Sequence, residues 1–259
     1  MADSIIIENT GAVRIITLNR PKAFNSFDRD MGSAFQTALD EAGRDDSVRC
    51  IVIKGEGRAF CAGQDLKEAT APDAPNFKII VEETYNQSIR RICSIKKPII
   101  AAVNGVAAGA GANIALSCDL TIAAESASFI QAFSKIGLIP DSGGTYWLPR
   151  LIGMQRAKAM AFFGNKVSSA EAEEMGLIYK SVADEDFASV VEKTATKLSG
   201  MPTLALGLTK AAFHEGLNSD LNEQLARELD YQFIAAESVD YAEGVASFLE
   251  KRAPEFKGK

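Results

Sequence analysis

Histidine is almost absent from this sequence: His214 is the only one among 259 residues. A histidine-rich metal site is therefore excluded, and a Ser-His-Asp hydrolase would have to use this one imidazole. No two cysteines form a Cys-x-x-Cys pair, and all of them lie in apolar segments. We therefore expect reduced thiols in or near the core, at Cys50, Cys61, Cys93 and Cys118.

Long apolar runs and clusters of basic residues are also absent. No uninterrupted apolar run approaches about eighteen residues, so the sequence predicts no membrane span. The N-terminus has neither a basic segment nor a following apolar segment, so we expect no secretory signal and a cytoplasmic protein. Lysine and arginine are scattered and the formal net charge is −6, which argues against a nucleic-acid surface. A few local basic groups could still hold a phosphate.

Apolar residues make up 47% of the chain, enough for one large α/β domain with a buried core. The patterning predicts strands and helices that alternate as ββα or βα units with largely parallel pairing. Strands are expected at 5–7 and 13–18 as a hairpin, then at 50–54, 99–103 and 120–124, with helices at 31–42 and 77–93 and a turn that runs into a helix at 105–116. Beyond Met201-Pro202 the pattern predicts helices only. We therefore expect a core of residues 1–200 and a helical subdomain of residues 201–259, packed on a partner subunit or on its own core.

Two glycine-rich segments, 55–66 and 104–113, each follow a buried strand. Glycine lets the backbone approach a ligand closely, and free N–H groups at a loop or a helix start attract an anionic oxygen. Two such loops with one donor each would form an oxyanion hole. The alternatives are ordinary loops and a dinucleotide fingerprint. The latter is incomplete, because Ile114 stands where Gly109-x-Gly111 would need a third small residue.

A third segment, 136–145, contains Asp141 in the string Asp-Ser-Gly-Gly. A trypsin-like protease is disfavoured, because nothing in the sequence brings His214 near Ser142. Asp141 could be the N-cap of a following helix. It could instead be a catalytic base whose pKa is raised by apolar neighbours, among them Phe133, Leu138, Ile139 and Trp147.

The order and separation of these three segments resemble the crotonase (enoyl-CoA hydratase/isomerase) superfamily. The opening Leu-Asn-Arg-Pro-Lys-Ala-Phe-Asn of 18–25 and the closing Phe-Leu-Glu-Lys-Arg of 248–252 strengthen the resemblance, which covers nearly the whole chain. It implies an α/β spiral of repeating ββα units with a C-terminal helical trimerisation region. It further implies an acyl-CoA substrate, no separate cofactor or metal, and a homotrimer or a dimer of trimers.

The resemblance also assigns residues. It makes the backbone N–H groups of Gln64 and Ala110 the two oxyanion donors. Contacts to coenzyme A map to Arg20, Lys22, Ala62, Gln64, Asp65, Leu66 and Lys67, with Phe248 and Lys251 possible contributions from a neighbouring subunit. On the acyl side the resemblance points to Ala110, Asn113 and Phe133, and we expect the variable segment 69–85 to help form the acyl pocket.

Departures from the family pattern bear on the reaction. Hydratases of the family use two glutamates, and the matching positions here are Asn113 and Phe133, which cannot transfer a proton. Asp141 occupies a third position where some isomerases and a dehalogenase carry an aspartate. The dehalogenase also needs a histidine and a tryptophan, but the matching residues are Asn86 and Phe133, so dehalogenation is disfavoured.

A single carboxylate suits an isomerase that removes a proton and returns it elsewhere. The segment 132–141 looks especially like phenylacetate-degradation isomerases, which convert ring 1,2-epoxyphenylacetyl-CoA to oxepin-CoA and also shift double bonds in enoyl-CoA chains. Two alternatives remain open. One is an enoyl-CoA hydratase in which Asp141 works with an unidentified partner, and the other is a non-catalytic acyl-CoA-binding subunit.

Overall fold

The computed structural model describes residues 3–259 of the chain, in which the strands form two sheets. Met1 and Ala2, on which the expected absence of a secretory signal partly rests, lie outside that range. The strands are β1 Ile5–Thr10, β2 Val13–Leu18, β3 Cys50–Gly55, β4 Ala59–Cys61, β5 Ile99–Val103, β6 Val106–Ala108, β7 Leu120–Ala124, β8 Ser128–Ile130, β9 Lys166–Ser168 and β10 Lys180–Val182.

The helices follow the predicted alternation closely. They are α1 Arg29–Arg44, α2 Leu66–Ala69, α3 Phe77–Ile79, α4 Gln87–Ser94, α5 Ala110–Leu116, α6 Gly144–Phe163, α7 Ser169–Glu174, α8 Asp184–Ser199, α9 Thr203–Gly216, α10 Leu221–Ala236 and α11 Val239–Glu250. The helix expected at 77–93 contains a π-helical segment, Ile80–Asn86, between α3 and α4. Short 3-10 turns lie at Pro21–Ala23 and Ala132–Ile136, and Gly153 interrupts α6.

The two sheets are built by a repeated unit. The larger sheet has the order β1-β2-β3-β5-β7-β10 and the smaller the order β4-β6-β8-β9. After β3, β5 and β7 the chain makes a short turn and adds β4, β6 and β8 to the smaller sheet. All pairs within the described residues are parallel except β1–β2 and β8–β9. The predicted ββα spiral with largely parallel pairing is therefore confirmed.

Glycine makes two of these turns possible. A methyl group on Gly55 would lie 2.2 Å from the carbonyl oxygen of Ala59, and one on Gly105 would lie 2.2 Å from the carbonyl oxygen of Arg58. Neither position can hold a side chain, because non-bonded heavy atoms do not approach so closely. Asn25 supports the first turn, since its buried amide nitrogen donates to the carbonyl oxygens of Glu56 and Ala59 at 2.9 and 2.8 Å.

The core lies between the larger sheet and the helices. The predicted helical spacing of Met31, Phe35 and Leu39 places all three on the buried face of α1. Burial of each such side chain stabilises the fold by about 1.5–3 kcal/mol. Asp28 is the N-cap of α1 and accepts a hydrogen bond from the backbone of Met31 at 2.9 Å. The four cysteines are free thiols in or beside this core, as predicted.

Residues beyond 202 form the three helices α9, α10 and α11, as the sequence predicted. Many of their large apolar side chains are exposed, including Phe213, Leu221, Leu229, Phe233, Phe248 and Leu249. Such a surface is typical of a subunit interface, but the division at residue 200 and the trimer stay predictions. In the described part of the chain, no helix combines the length and apolarity that crossing a membrane requires.

Candidate active site

The Gly63–Asp65 loop is fixed to the backbone of one residue. Phe27 donates its N–H to the carbonyl oxygen of Gly63 at 2.7 Å, and its own carbonyl oxygen accepts from Asp65 at 2.9 Å. Because backbone groups alternate in direction along an extended segment, Gln64 directs its N–H away from Phe27. Within residues 3–259 this N–H donates to no acceptor.

Ala110 supplies a second free N–H, at the first residue of α5. The preceding Gly109 has φ 54° and ψ −127°, a conformation that favours glycine, and its own N–H donates to Ile130 at 2.8 Å. A methyl group on Gly63 would lie 3.0 Å from the oxygen of Ala108 and 3.3 Å from the nitrogen of Ala110. The two loops are therefore in contact. The N–H of Ala110, like that of Gln64, donates to no acceptor in the described part of the chain.

Asp141 is partly buried, and its side chain is not the cap of a helix. The carboxylate accepts a hydrogen bond from the Ser142 hydroxyl at 2.8 Å. The following helix, α6, begins at Gly144 with Gly143 as its N-cap, and no side chain caps it. The N-cap interpretation of Asp141 is therefore wrong, and the carboxylate is left with one hydrogen bond within residues 3–259.

Burial raises the pKa of Asp141 above its ordinary value of 3.8, although the hydrogen bond from Ser142 acts in the opposite direction. A raised pKa makes the carboxylate a better base. The same hydrogen bond argues against a serine protease, because Ser142 donates to Asp141 rather than to an imidazole. His214 packs instead on Trp147, with ring centroids 5.3 Å apart.

Asn113 connects α5 to the backbone of Asp141. Its side-chain nitrogen donates to the carbonyl oxygen of Asp141 at 2.8 Å, and its side-chain oxygen accepts from the Gln131 amide at 2.7 Å. Asn113 and Gln131 are both fully buried. A methyl group on Gly144 would lie 2.4 Å from the Asn113 nitrogen, so this packing requires glycine. The side-chain nitrogen and the side-chain oxygen of Asn113 thus each have a hydrogen-bond partner within the protein. The predicted contact between Asn113 and substrate stays a prediction.

Phe133 lies beside the second donor loop. Its ring would be 3.7 Å from a methyl group on Gly109, the residue before Ala110, and the side chain is buried. An aromatic side chain therefore occupies the position at which hydratases of the family that this sequence resembles carry their second glutamate. Its role in binding the acyl group stays a prediction.

The residues predicted to bind coenzyme A fall into two groups. Arg20 is engaged within the protein, with one guanidinium nitrogen 2.9 Å from the Asp28 carboxylate and 2.8 Å from that of Asp65. Arg20 thereby fixes the loop that carries Gln64, and its charge is already paired. The side chains of Lys22, Ala62, Leu66 and Lys67 are exposed, as are those of Phe248 and Lys251 at the end of the chain's last helix. Their contacts with coenzyme A stay predictions.

Two residues of this site were not identified from the sequence. Gln131 holds Asn113, and Tyr85 donates its hydroxyl to the Gln64 side chain at 2.9 Å. Tyr85 lies at the end of the segment 69–85 that the sequence assigned to the acyl pocket. Nothing in its local pattern distinguishes it from a core residue.

Comparisons with known proteins identify the family to which the chain is similar. The sequence profile of the family "Enoyl-CoA hydratase/isomerase" matches residues 8–259. The chain is 46% identical to the 1,2-epoxyphenylacetyl-CoA isomerase of Escherichia coli (strain K12), over 100% of both chains. It is 45% identical to a Rhodobacter capsulatus protein named "Probable enoyl-CoA hydratase", over 99% of this chain and 98% of the relative. The crystal structure of an enoyl-CoA hydratase from Bacillus anthracis is similar with a TM-score of 0.92 and 33% identity, covering 99% and 100% of the two chains.

Proposed function

We propose that this chain, which belongs to the enoyl-CoA hydratase/isomerase family, is an isomerase that stabilises the enolate of an acyl-CoA thioester and uses Asp141 as its acid and base. One observation carries the proposal. Asn113 of α5 donates to the main-chain carbonyl oxygen of Asp141, whose carboxylate is partly buried, and the first N–H of the same helix, that of Ala110, is free. The proposed base and one proposed oxyanion donor are thus both held by helix α5.

The two free N–H groups account for enolate stabilisation. When a proton leaves the carbon next to a thioester, negative charge develops on the thioester oxygen. Donors fixed in advance stabilise that charge without reorganisation, which lowers the barrier. The N–H groups of Gln64 and Ala110 fit this role, because their loops are in contact and neither N–H is used within the described chain.

Asp141 accounts for the proton transfer. In a 3-enoyl-CoA, the carboxylate would remove a proton from carbon 2, leaving a dienolate with its charge on the thioester oxygen. The same carboxyl group would then return that proton to carbon 4, and the double bond would move to carbons 2 and 3. The raised pKa of Asp141 suits both steps, since the group must act as a base and then as an acid.

The proposed substrates include ring 1,2-epoxyphenylacetyl-CoA, which an isomerase converts to oxepin-CoA. This narrower assignment is supported by the 46% identical E. coli relative of that name. The buried ring of Phe133 beside Gly109 supports it as well, because an aromatic wall next to the oxyanion donors favours an aromatic acyl group.

Hydration is the second candidate reaction, favoured by the names of the R. capsulatus and B. anthracis proteins. Adding water across a double bond requires groups that deliver both a hydroxide and a proton. Asn113 and Phe133 stand where the family's two glutamates would be, and neither side chain can exchange a proton at neutral pH. Asp141 alone would therefore have to serve both transfers.

The deciding experiment is incubation of the purified protein with a 3-enoyl-CoA in deuterated water, with crotonyl-CoA in parallel, followed by mass spectrometry and NMR. Conversion to the 2-enoyl ester without water addition to crotonyl-CoA is the expected result. A 3-hydroxyacyl product as the main product would overturn the isomerase assignment in favour of a hydratase. Binding of both esters with no turnover would instead indicate a non-catalytic subunit.

A further inference from the structure

Tyr85 lies in the π-helical segment Ile80–Asn86. Tyr85 is buried, with 2% of its surface exposed, and its ring packs against Phe27 with centroids 6.1 Å apart. Its hydroxyl donates to the side-chain oxygen of Gln64 at 2.9 Å. A π-helical turn inside a helix is rare and is frequently found at functional sites. Here the segment carries Tyr85, whose hydroxyl contacts Gln64, the residue of a proposed oxyanion donor.

The π-helical segment is held firmly from its other side. The Gln36 side chain donates to the carbonyl oxygens of Glu83 and Thr84 at 2.7 and 3.1 Å, and the Ser88 hydroxyl donates to that of Thr84 at 2.7 Å. These bonds satisfy carbonyl groups in the irregular turn. A methyl group on Gly32 would lie 2.5 Å from the Thr84 methyl carbon, so α1 packs tightly against this turn. Tyr85 is therefore a fixed point from which a hydrogen bond can restrain a loop.

The Gln64 peptide has a second restraint in Tyr85. It follows Gly63, which has φ +89° and no side chain to limit rotation. The backbone of Phe27 holds the carbonyl oxygen of Gly63 and the N–H of Asp65, but it leaves the N–H of Gln64 without a partner. The peptide that carries this N–H is therefore held by Phe27 through the Gly63 carbonyl oxygen, and the hydrogen bond from Tyr85 to the Gln64 side chain holds the same residue at a second point.

We propose that Tyr85 is a positioning residue for the oxyanion site: its hydrogen bond to the Gln64 side chain holds the Gln64 N–H in the direction of the thioester oxygen. The inference rests on the proposed function, because it concerns the same donor. Tyr85 acts through Gln64 and does not touch the reacting atoms. Burial, followed by the nearby Cys61 and Asp141, raises the pKa of the Tyr85 hydroxyl well above its ordinary range. The hydroxyl thus stays a donor throughout the pH range of the assay.

The first test compares Tyr85→Phe with Tyr179→Phe. Tyr179 is exposed, and its hydroxyl makes no hydrogen bond to residues 3–259. Tyr179→Phe therefore removes the same atom without breaking a hydrogen bond within the protein. We expect Tyr85→Phe to lower kcat about tenfold to a hundredfold, since a displaced oxyanion donor costs less than a deleted one. KM should change less than about twofold, because the donor contributes mainly in the transition state.

A spectroscopic readout separates positioning from a general structural role. In an enoyl-CoA labelled with carbon-13 at the thioester carbonyl, two well-placed donors lower the carbonyl stretching frequency in the infrared. We expect a lowered frequency on wild-type protein and on Tyr179→Phe, and a shift back toward the value in water on Tyr85→Phe. Circular dichroism of each variant identifies any loss of fold.

A double-mutant cycle gives the decisive result. Gln64→Met removes the acceptor of the same hydrogen bond while keeping the backbone N–H. If Tyr85 acts through Gln64, the double variant should be no slower than either single variant within about threefold. Additive losses, or a Tyr85→Phe variant with the kcat and carbonyl frequency of Tyr179→Phe, would overturn the inference. A wild-type protein without isomerase turnover would instead refute the proposed function, while the infrared comparison would still test the positioning of bound thioester.

Discussion

The side-chain nitrogen of Asn113 lies 2.8 Å from the main-chain carbonyl oxygen of Asp141 and donates a hydrogen bond to it. In the hydratases of the family that this sequence resembles, a glutamate occupies the position of Asn113 and transfers a proton. Here the side-chain amide cannot act as an acid or a base at neutral pH, but it holds the backbone of Asp141, the proposed base. Position 113 thus supports the backbone of the residue that we propose as the base.

Asn113→Leu should lower both stability and turnover. The leucine has similar volume but leaves the side-chain nitrogen of Gln131 unpaired in the interior, and it removes one of the two hydrogen bonds to the carbonyl oxygen of Asp141, which keeps the one from the Gly144 N–H. One such unpaired group costs about 1–3 kcal/mol in free energy of unfolding, measurable by urea denaturation. Gln131→Leu is the control, because it leaves the Asn113–Asp141 bond in place and should spare kcat more. Equal kcat losses in the two variants would show that Asn113 does not position Asp141.

Asp141→Asn should abolish proton transfer and keep binding. Loss of a general acid and base lowers kcat by about a hundredfold to ten-thousandfold. The dissociation constant for a 2-enoyl-CoA, measured by calorimetry, should stay within about threefold of wild type, since the carboxylate is not a binding group. Asp46→Asn, a change at an exposed position, controls for the altered charge. Full isomerase turnover by Asp141→Asn would remove this residue from the mechanism.

The same variant should gain stability at neutral pH. Burial raises the folded-state pKa of Asp141 above 3.8, so the folded protein binds this proton more tightly than the unfolded chain does. The stability of wild type therefore falls as pH rises from 3.8 through the raised pKa, and the penalty is fully present above it. Thermal unfolding should show Asp141→Asn more stable than wild type at pH 7, with the difference shrinking as pH falls toward 3.8. An advantage that does not depend on pH would contradict this account.

The pH dependence of catalysis should also follow from the raised pKa of Asp141. Because the proposed first step needs the ionised carboxylate, kcat/KM should fall as pH decreases through the raised pKa of Asp141. The residual activity of Asp141→Asn, measured over the same range, should lack this acidic decline. Identical acidic limbs in both proteins would assign the titration to another group.

Lys22 tests the predicted contact with coenzyme A. Its side chain is exposed near Arg20, whose own charge is paired with Asp28 and Asp65. Lys22→Glu should raise KM for a CoA ester about threefold to tenfold, the magnitude expected when an exposed ion pair becomes a repulsion. KM for the matching pantetheine thioester, which lacks the nucleotide phosphates, should not change. Lys193→Glu is the control at a remote exposed position. A rise for both thioesters would exclude a phosphate contact.

The longer elements of the fold followed from the sequence. Strands β3, β5 and β7 are continuous apolar runs, and α1 shows clear helical spacing, so local pattern was sufficient. The three-residue strands of the smaller sheet were not predicted, because three residues carry too little periodic signal. Strand β6 lies within a stretch that the sequence assigned to a turn leading into a helix. The π-helical turn was also missed, since its pattern over a few residues resembles that of an ordinary helix.

The sequence by itself determined the chemistry available to this protein: one aspartate between apolar residues, two glycine-rich loops after buried strands, and no acidic side chain at 113 or 133. Only the tertiary structure decided which groups serve that chemistry. Asn113 reaches Asp141 across 28 residues of chain, and Tyr85 reaches Gln64 across 21. A hydrogen bond between such distant residues depends on the path of everything between them to within a few tenths of an ångström. Local propensity does not contain that information, because it arises only when the sheets and helices pack together.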